Sequence, residues 1–308
     1  MADRQATPTK RELAEIDRIN QSGRQPIILV HGLWLLSGSW DRWVAFLEQQ
    51  GYGVLAIDWP GDPETVAEAR SNPDLLAGTS IEQVADHVEE IARRFTRRPA
   101  VIGHSVGGLV AQIVAGRGVA VATAAIDPVP FKGIRGLPRS VVKSTFPVLR
   151  SPGNRKRAVL LTLDQFRYGF ANAVEADEAN ALYDEFHVPA PGKPIFQVAS
   201  ANFSRSTATK VDTGSADRGP LLIVSGTADH TVPPSLAGAA YKKQSKNPAP
   251  TEFAEIVNAG HSLVIDNRWQ EVATKTVEFF GRNGVVGNSS SASHTADAEQ
   301  GADTGGMA

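Results

Sequence analysis

Short apolar runs alternate with amphipathic helical segments along most of the chain, and this alternation restricts the fold more than any other feature. The runs are rich in branched aliphatic residues and have the length of strands buried on both faces. They span residues 26–30, 53–57, 100–102, 121–126, 221–224 and 252–257. Strands that alternate with helices predict an α/β fold with a mostly parallel, doubly wound sheet covered on both faces.

The alternation is interrupted for a long stretch after the fourth predicted strand. That stretch combines helical patterns with scattered aromatic residues, and a connection of such length inside a compact sheet is unusual for a plain loop. We therefore predict that it forms a helical cap inserted into the core. The predicted divisions are a polar N-terminal extension (1–24), the core (25–130 and 217–282), the cap (131–216) and a disordered tail (283–308) rich in small and polar residues.

One serine, Ser105, lies between glycines directly after the third predicted strand, in the sequence Gly103-His104-Ser105-Val106-Gly107. This is the G-x-S-x-G pattern, and the order of strand, motif and helix is that of a nucleophile elbow. Glycines on both sides of the serine permit the strand and the helix to approach closely. The pattern alone also fits a packing turn. In its context we interpret Ser105 as a displayed nucleophile.

A serine hydroxyl is a weak nucleophile unless a base accepts its proton. Four histidines follow Ser105 in the chain, and His261 is the one in a Gly-His loop directly after the last predicted strand. His187 falls in the predicted cap, His294 in the predicted tail, and His230 in a turn after the fifth strand. A loop at the end of a strand brings its imidazole to the carboxyl edge of the sheet, so we predict His261 as the base.

Two carboxylates compete for the role of orienting His261. Asp229 follows the strand at 221–224, and Asp127 directly follows the strand at 121–126. Both therefore lie at carboxyl ends of strands, where active sites of open parallel sheets form. A carboxylate there fixes the imidazole tautomer and stabilises the imidazolium. We favour Asp229 and keep Asp127 as the alternative acid, because Asp127 also suits a structural role at the start of the cap.

The same chemistry needs donors for a developing oxyanion and a pocket for the substrate. We expect the donors to be the backbone N–H groups of Val106, at the start of the helix after the serine, and of Leu33, in the loop after the first strand. Trp34, His104 and Phe131 adjoin these positions or open the cap. We predict that these three side chains line an apolar substrate pocket.

Five motifs in this order resemble those of the α/β-hydrolase superfamily, over roughly residues 26–282. They are His31-Gly32-Leu33-Trp34, Asp58-Trp59-Pro60-Gly61, Gly103-His104-Ser105-Val106-Gly107, the segment 226–233 and Gly260-His261-Ser262. The chain looks most like small soluble bacterial serine esterases and cofactor-free haloperoxidase-like hydrolases, which implies a Ser-Asp-His triad, a helical cap and no cofactor. Its polar N-terminus leaves little room for the antiparallel hairpin that often opens the sheet, so we expect a shortened sheet.

The composition limits the partners that we expect. The chain contains no cysteine, which excludes thiolate nucleophiles, and its formal net charge of -2 gives no electrostatic reason to expect nucleic acid or an anionic membrane. The histidine spacing gives no zinc signature, so we predict no metal and no cofactor. The N-terminus carries no apolar run of the signal-peptide type and the chain no spanning segment, so we expect a cytoplasmic protein.

These interpretations predict an esterase or lactonase that cleaves a hydrophobic small molecule through an acyl-enzyme. Two alternatives stay open. The same triad supports perhydrolysis or a lyase reaction, since this fold hosts several chemistries. Alternatively, the protein is a ligand-binding receptor of the same fold with slow turnover. Assays with peroxide and acetate address the first alternative, and a bound small molecule with negligible ester turnover would favour the second.

Overall fold

The structure, a computed structural model, describes residues 7–288 and contains one large parallel sheet. The strands in chain order are β1 Pro26–Val30, β2 Gly53–Ala56, β3 Ala100–His104, β4 Thr123–Ile126, β5 Ala158–Val159, β6 Ala190–Pro191, β7 Leu221–Gly226 and β8 Thr251–Ile256. Six of them form the sheet in the order β2-β1-β3-β4-β7-β8, and every neighbouring pair is parallel. The predicted doubly wound α/β fold is confirmed, and within residues 7–288 this sheet has no antiparallel strand.

Helices cover the two faces of the sheet and also form the long connection between β4 and β7. They are α1 Lys10–Ser22, α2 Asp41–Gln49, α3 Val66–Ser71, α4 Ile81–Ala92, α5 Val106–Gly116, α6 Arg139–Leu149, α7 Leu163–Gly169, α8 Ala176–Phe186, α9 Lys193–Ser200, α10 Pro234–Gln244 and α11 Trp269–Arg282. The chain leaves β1 outward to β2 and then reverses through β3 to β4. Right-handed crossovers in opposite directions place the connecting helices on opposite faces. None of the helices described between residues 7 and 288 is long and apolar enough to cross a membrane.

The stretch predicted as a polar extension contains helix α1, which packs on β2. Thr9 and Glu12 form a capping box at its start, and Ile16 and Ile19 point into the core. Glu12 is itself fully buried, where it accepts a hydrogen bond from His87 Nε2 at 3.1 Å. Two isoleucines among many charges gave too weak a pattern to identify this helix, and the partner of Glu12 is distant in the sequence.

The predicted tail is ordered at its start. Val285 is buried, and the hydroxyl of Tyr52 donates a hydrogen bond to its carbonyl oxygen at 2.9 Å. This contact and the hydrogen bond from the N–H of Asn288 to the carbonyl oxygen of Gly51 tie residues 283–288 to the turn between α2 and β2. The remainder of the predicted tail, residues 289–308, lies outside the described residues.

The long connection between β4 and β7 carries helices α6 to α9 and the antiparallel pair β5–β6. Helix α6 packs against α7 and α9, and α7 packs against α8. The connection begins directly after Asp127 at the carboxyl end of β4 and returns to β7, which places it over the edge of the sheet where Ser105 lies. The predicted cap segment thus has the elements needed to enclose a site above the sheet.

Candidate active site

The turn that carries Ser105 has a backbone conformation that few side chains tolerate. Its φ is 57° and its ψ is −117°, between the last residue of β3 and the first of α5. A Cβ atom at Gly103 would lie 2.1 Å from the carbonyl oxygen of Gly107, and one at Gly107 would lie 2.2 Å from that of Val30. Both glycines are therefore required by the close contact of strand and helix. Strained backbone of this kind is characteristic of functional sites.

A continuous chain of hydrogen bonds links Ser105, His261 and Asp229. The Ser105 Oγ lies 2.9 Å from His261 Nε2, and His261 Nδ1 lies 2.6 Å from Asp229 Oδ2. Asp229 Oδ1 accepts hydrogen bonds from the N–H groups of Thr231 and Val232. A carboxylate facing Nδ1 keeps the proton on that nitrogen, so Nε2 is available to accept the serine proton. This arrangement can activate a serine hydroxyl.

Asp127, the alternative acid, lies beside His261 but outside hydrogen-bond distance. Its Oδ2 is 4.0 Å from His261 Nδ1 and has no hydrogen-bond partner among the described residues, while its Oδ1 accepts from the N–H of Gly226 at 2.8 Å. Burial, together with the nearby charge of Asp229, raises the pKa of Asp127 well above its usual range. The geometry therefore brings Asp229 rather than Asp127 to the imidazole.

The two residues expected to supply oxyanion donors line the same cavity as Ser105. Leu33 and Val106 line the cavity together with Ser105, and neither of their N–H groups donates to an acceptor within the described part of the chain. Gly32 permits this approach, since a Cβ atom there would lie 2.8 Å from the Cβ of Ser105. Unpaired amides beside a nucleophile are the donors that a tetrahedral oxyanion requires.

The cavity above Ser105 has a volume of about 540 Å³ and is mostly apolar. Its lining comes from the Leu33–Trp34 loop, the residues after β4, helices α6 and α9, and two residues near β7 and α10. The residues are Leu33, Trp34, Ser105, Val106, Val129, Pro130, Ile134, Arg135, Gly136, Leu137, Val141, Thr145, Leu149, Ile195, Val198, Ala199, Asn202, Phe203, Thr231 and Leu236. Among the predicted pocket residues, Trp34 lies in this lining.

Two other predicted pocket residues lie elsewhere. His104 is fully buried behind Ser105, where its Nε2 donates to the carbonyl oxygen of His261 at 2.9 Å. Burial and the neighbouring His261 lower the pKa of His104 well below its usual range, so the ring is neutral and positions the His261 loop. Phe131 is buried in the hydrophobic core. Nearness in sequence to Ser105 or to the cap does not give the direction of a side chain.

The structure adds contacts to His261 that the sequence gave no means to identify. The ring of Phe170, from the cap, meets the imidazole edge-on with centroids 4.8 Å apart. The carbonyl oxygen of Phe170 also accepts from the N–H of Ser262 at 3.0 Å. Gly260 fits beneath this segment, since a Cβ atom there would lie 3.1 Å from the same oxygen. The cap thus fixes the loop that carries His261.

One group of potential metal ligands lies in this region among the described residues. Donor atoms of His104, Asp127 and His261 lie within 4.8 Å of one another. Both ring nitrogens of His261 are already engaged, by Ser105 and by Asp229. A metal bound there would have to displace these hydrogen bonds. That the protein uses no metal and no cofactor stays a prediction.

The model of the alpha/beta hydrolase family matches residues 27–275, a range that includes Ser105, Asp229 and His261. The chain belongs to this family. Membership supports hydrolase activity, and it agrees with the parallel sheet and with a serine turn at the carboxyl end of β3.

Solved structures of other proteins share the fold of this one. A monoacylglycerol lipase from Paleococcus ferrophilus has a TM-score of 0.59 and 22% identity, over 84% of this chain and 94% of that chain. An extracellular α/β-hydrolase from a Paenibacillus species has a TM-score of 0.58 and 20% identity, over 82% and 98%. A pyrethroid hydrolase from Sphingobium faniae JZ-2 has a TM-score of 0.57 and 19% identity, over 84% and 98%. At these identities the likeness establishes a common fold.

Proposed function

We propose that this α/β hydrolase cleaves a carboxylic ester or lactone of a hydrophobic small molecule through an acyl-enzyme. The observation that carries the proposal is the hydrogen-bond chain from Asp229 through His261 to Ser105, which ends in an apolar cavity. The order and distances of these groups are those of a serine nucleophile with its base and its orienting acid.

The reaction proceeds in two halves. Ser105 Oγ attacks the carbonyl carbon while His261 Nε2 accepts its proton, and the N–H groups of Leu33 and Val106 stabilise the oxyanion. Collapse of the tetrahedral intermediate breaks the bond to the leaving oxygen, which takes the proton from His261. Water then attacks the acyl-serine with His261 again as base and releases the acid. Asp229 holds the imidazole in the required tautomer throughout.

The cavity favours an apolar substrate of modest size. Its volume of about 540 Å³ falls in the range of small-molecule sites, and few polar side chains line it. The side chains of Asn202, Thr145 and Thr231 already form hydrogen bonds with backbone groups of the protein, so apolar contacts dominate the recognition of a bound ester. The similar structures include a monoacylglycerol lipase and a pyrethroid hydrolase, and these names agree with hydrolysis of apolar molecules.

An activity-based probe tests the proposal directly. The protein is treated with a fluorophosphonate, and the adduct is located by peptide mass spectrometry in the wild type and in Ser105→Ala, His261→Ala and Ser225→Ala. Ser225 is a buried serine whose Oγ has no hydrogen-bond partner among the described residues, so its variant is the matched control. We expect labelling at Ser105 in the wild type and in Ser225→Ala, and none in the other two.

Hydrolysis of short and medium-chain p-nitrophenyl esters and of lactones then defines the substrate class. A folded protein that is not labelled at Ser105, or that is labelled equally in His261→Ala, would overturn the mechanism. Labelling at Ser105 without hydrolysis of any ester or lactone would instead move the assignment to perhydrolysis, lyase chemistry or ligand reception on the same site.

A further inference from the structure

The first part of the cap is strongly basic. Residues 131–163 contain eight basic residues and no acidic one: Lys132, Arg135, Arg139, Lys143, Arg150, Arg155, Lys156 and Arg157. No ion pair within residues 7–288 involves any of them, and all except Lys132 are exposed. Six acidic residues of the cap follow between Asp164 and Glu185. The whole-chain charge therefore conceals a local excess of positive charge.

Helix α6 displays part of this charge on one side. Its outward side carries exposed residues at helical spacing: Arg139, Val142, Lys143, Phe146 and, just after the helix, Arg150. A neighbouring side of the helix lines the cavity above Ser105, through Val141, Thr145 and Leu149. One helix thus connects the wall of the candidate active site with an exposed surface that is both cationic and apolar.

Exposed apolar side chains are concentrated in the same region. Leu137 is 74% exposed, Phe203 is 91% exposed, and both line the cavity, so they lie at its entrance together with the exposed Arg135. On α6, Phe146 is 58% exposed. Large apolar side chains of this kind are unfavourable in water, and when clustered they mark an interaction surface. We call Leu137, Phe203, Arg135 and the outward side of α6 the entrance face.

We propose that the entrance face docks on the surface of a bilayer that contains anionic lipids, with the cavity mouth turned toward the lipid. Cationic side chains are attracted to the anionic headgroups, and apolar side chains between them insert at the boundary of the acyl chains. A nucleic acid would satisfy the cations, but it would leave aliphatic groups such as Leu137 and Val142 without apolar contacts. This differs from the expectation of no membrane partner, which rested on the charge of the whole chain.

Docking of this kind supplies the candidate site with substrate. A hydrophobic ester partitions into the bilayer. A cavity whose entrance lies at the membrane surface can take up this ester directly from the lipid, so the ester does not have to cross water. Binding to vesicles itself requires no hydrolysis, so Ser105→Ala is expected to bind as the wild type does. A failure of docking and a failure of the proposed reaction can therefore be told apart.

The test is cosedimentation of the full chain with vesicles of phosphatidylcholine alone and of equal parts phosphatidylcholine and phosphatidylserine. We expect binding to the mixed vesicles, weak binding to the neutral ones, and loss of binding as salt is raised. The variant Arg139→Gln/Lys143→Gln/Arg150→Gln removes three charges from the entrance face. At about fivefold per cationic side chain, its partition coefficient should fall about a hundredfold.

Two further variants separate the contributions. Val142→Ser/Phe146→Ser keeps every charge and should also weaken binding to the mixed vesicles. Arg24→Gln/Arg97→Gln/Lys246→Gln removes the same charge from the loops that lead into β1, β3 and β8, at the opposite edge of the sheet, and should bind as the wild type does. Turnover of a soluble short-chain ester should be unchanged in all three variants.

Several results would overturn the proposal. One is equal binding of the wild type to neutral and mixed vesicles. Another is a loss of binding in Arg24→Gln/Arg97→Gln/Lys246→Gln as large as that in Arg139→Gln/Lys143→Gln/Arg150→Gln. A third is a wild type that binds a single-stranded RNA oligonucleotide but no vesicles. Because the wild-type comparison of the two vesicle compositions needs no substitution, the test does not depend on the folding of any variant.

Discussion

The two buried carboxylates beside His261 should respond very differently to replacement by asparagine. Asp229 Oδ2 lies 2.6 Å from His261 Nδ1, whereas the Asp127 oxygen lies 4.0 Å away. In Asp229→Asn the negative charge that keeps the proton on Nδ1 is lost, and Nε2 then carries the proton and cannot accept one from Ser105. The same change in a well-studied serine protease lowers kcat about 10⁴-fold, which is ~5 kcal/mol of transition-state stabilisation. We expect a loss of that order.

Asp127→Asn should have little effect on turnover. Burial and the charge of Asp229 raise the pKa of Asp127 well above its usual range, which favours the neutral form of its carboxyl group. The asparagine is also neutral, and its amide oxygen can accept the hydrogen bond from the N–H of Gly226. The change then disturbs one neutral hydrogen bond, worth about 1 kcal/mol, and kcat should fall by less than about tenfold.

The measurement is kcat/KM for a soluble p-nitrophenyl ester in both variants, after circular dichroism has established that each is folded. The rate of fluorophosphonate labelling gives a second reading that is independent of the substrate. A loss in Asp127→Asn as large as that in Asp229→Asn would refute the reasoning, because it would assign the orienting role to the carboxylate after β4. Nearly full activity in Asp229→Asn would have the same consequence.

Two further predictions concern stability. Gly107→Ala places a Cβ atom within 2.2 Å of the Val30 carbonyl oxygen and should lower the free energy of unfolding, measured in urea, by about 1–3 kcal/mol. Gly238→Ala in α10, where a Cβ atom meets nothing within 4 Å, should raise it by about 0.5–1 kcal/mol. Equal urea midpoints for the two variants would contradict the packing argument. Burial lowers the pKa of the His187 imidazole from 6.5 to about 3. Between these pH values the imidazole is protonated in the unfolded chain and neutral in the folded one, so the free energy of unfolding falls as pH falls, by about 1.4 kcal/mol per pH unit. His187→Gln keeps an acceptor for the Leu161 N–H and should show a shallower pH dependence in urea unfolding; parallel slopes would count against this explanation.

The sheet and the serine turn could be predicted because their causes are local. A strand buried on both faces needs a continuous apolar run, and a strand–helix contact as close as that at Ser105 tolerates only glycine at positions 103 and 107. The carboxyl ends of parallel strands meet at one edge, which is why Asp229 and His261 could be placed beside Ser105 from their positions alone.

What escaped prediction depends on contacts between distant parts of the chain. The buried Glu12 is satisfied by His87, and no local pattern in the first twenty residues signals that pairing. His104 precedes the serine directly, yet the turn directs its side chain behind Ser105 and away from the cavity. The basic segment of the cap was visible in the sequence, but a total charge averages it against acids elsewhere.

Trp34 joins the loop beside the candidate oxyanion site to the cap. Its indole N–H donates to the carbonyl oxygen of Val159 at 3.0 Å, and its own carbonyl oxygen accepts from the N–H of Val188. Both bonds use backbone groups of the cap, so they constrain the backbone path at positions 159 and 188 whatever the side chains there contribute to packing. The cap is consequently not an exchangeable module. A graft from a relative that changes the backbone path at either position would break one of these hydrogen bonds and release the loop that carries the proposed oxyanion donor, Leu33.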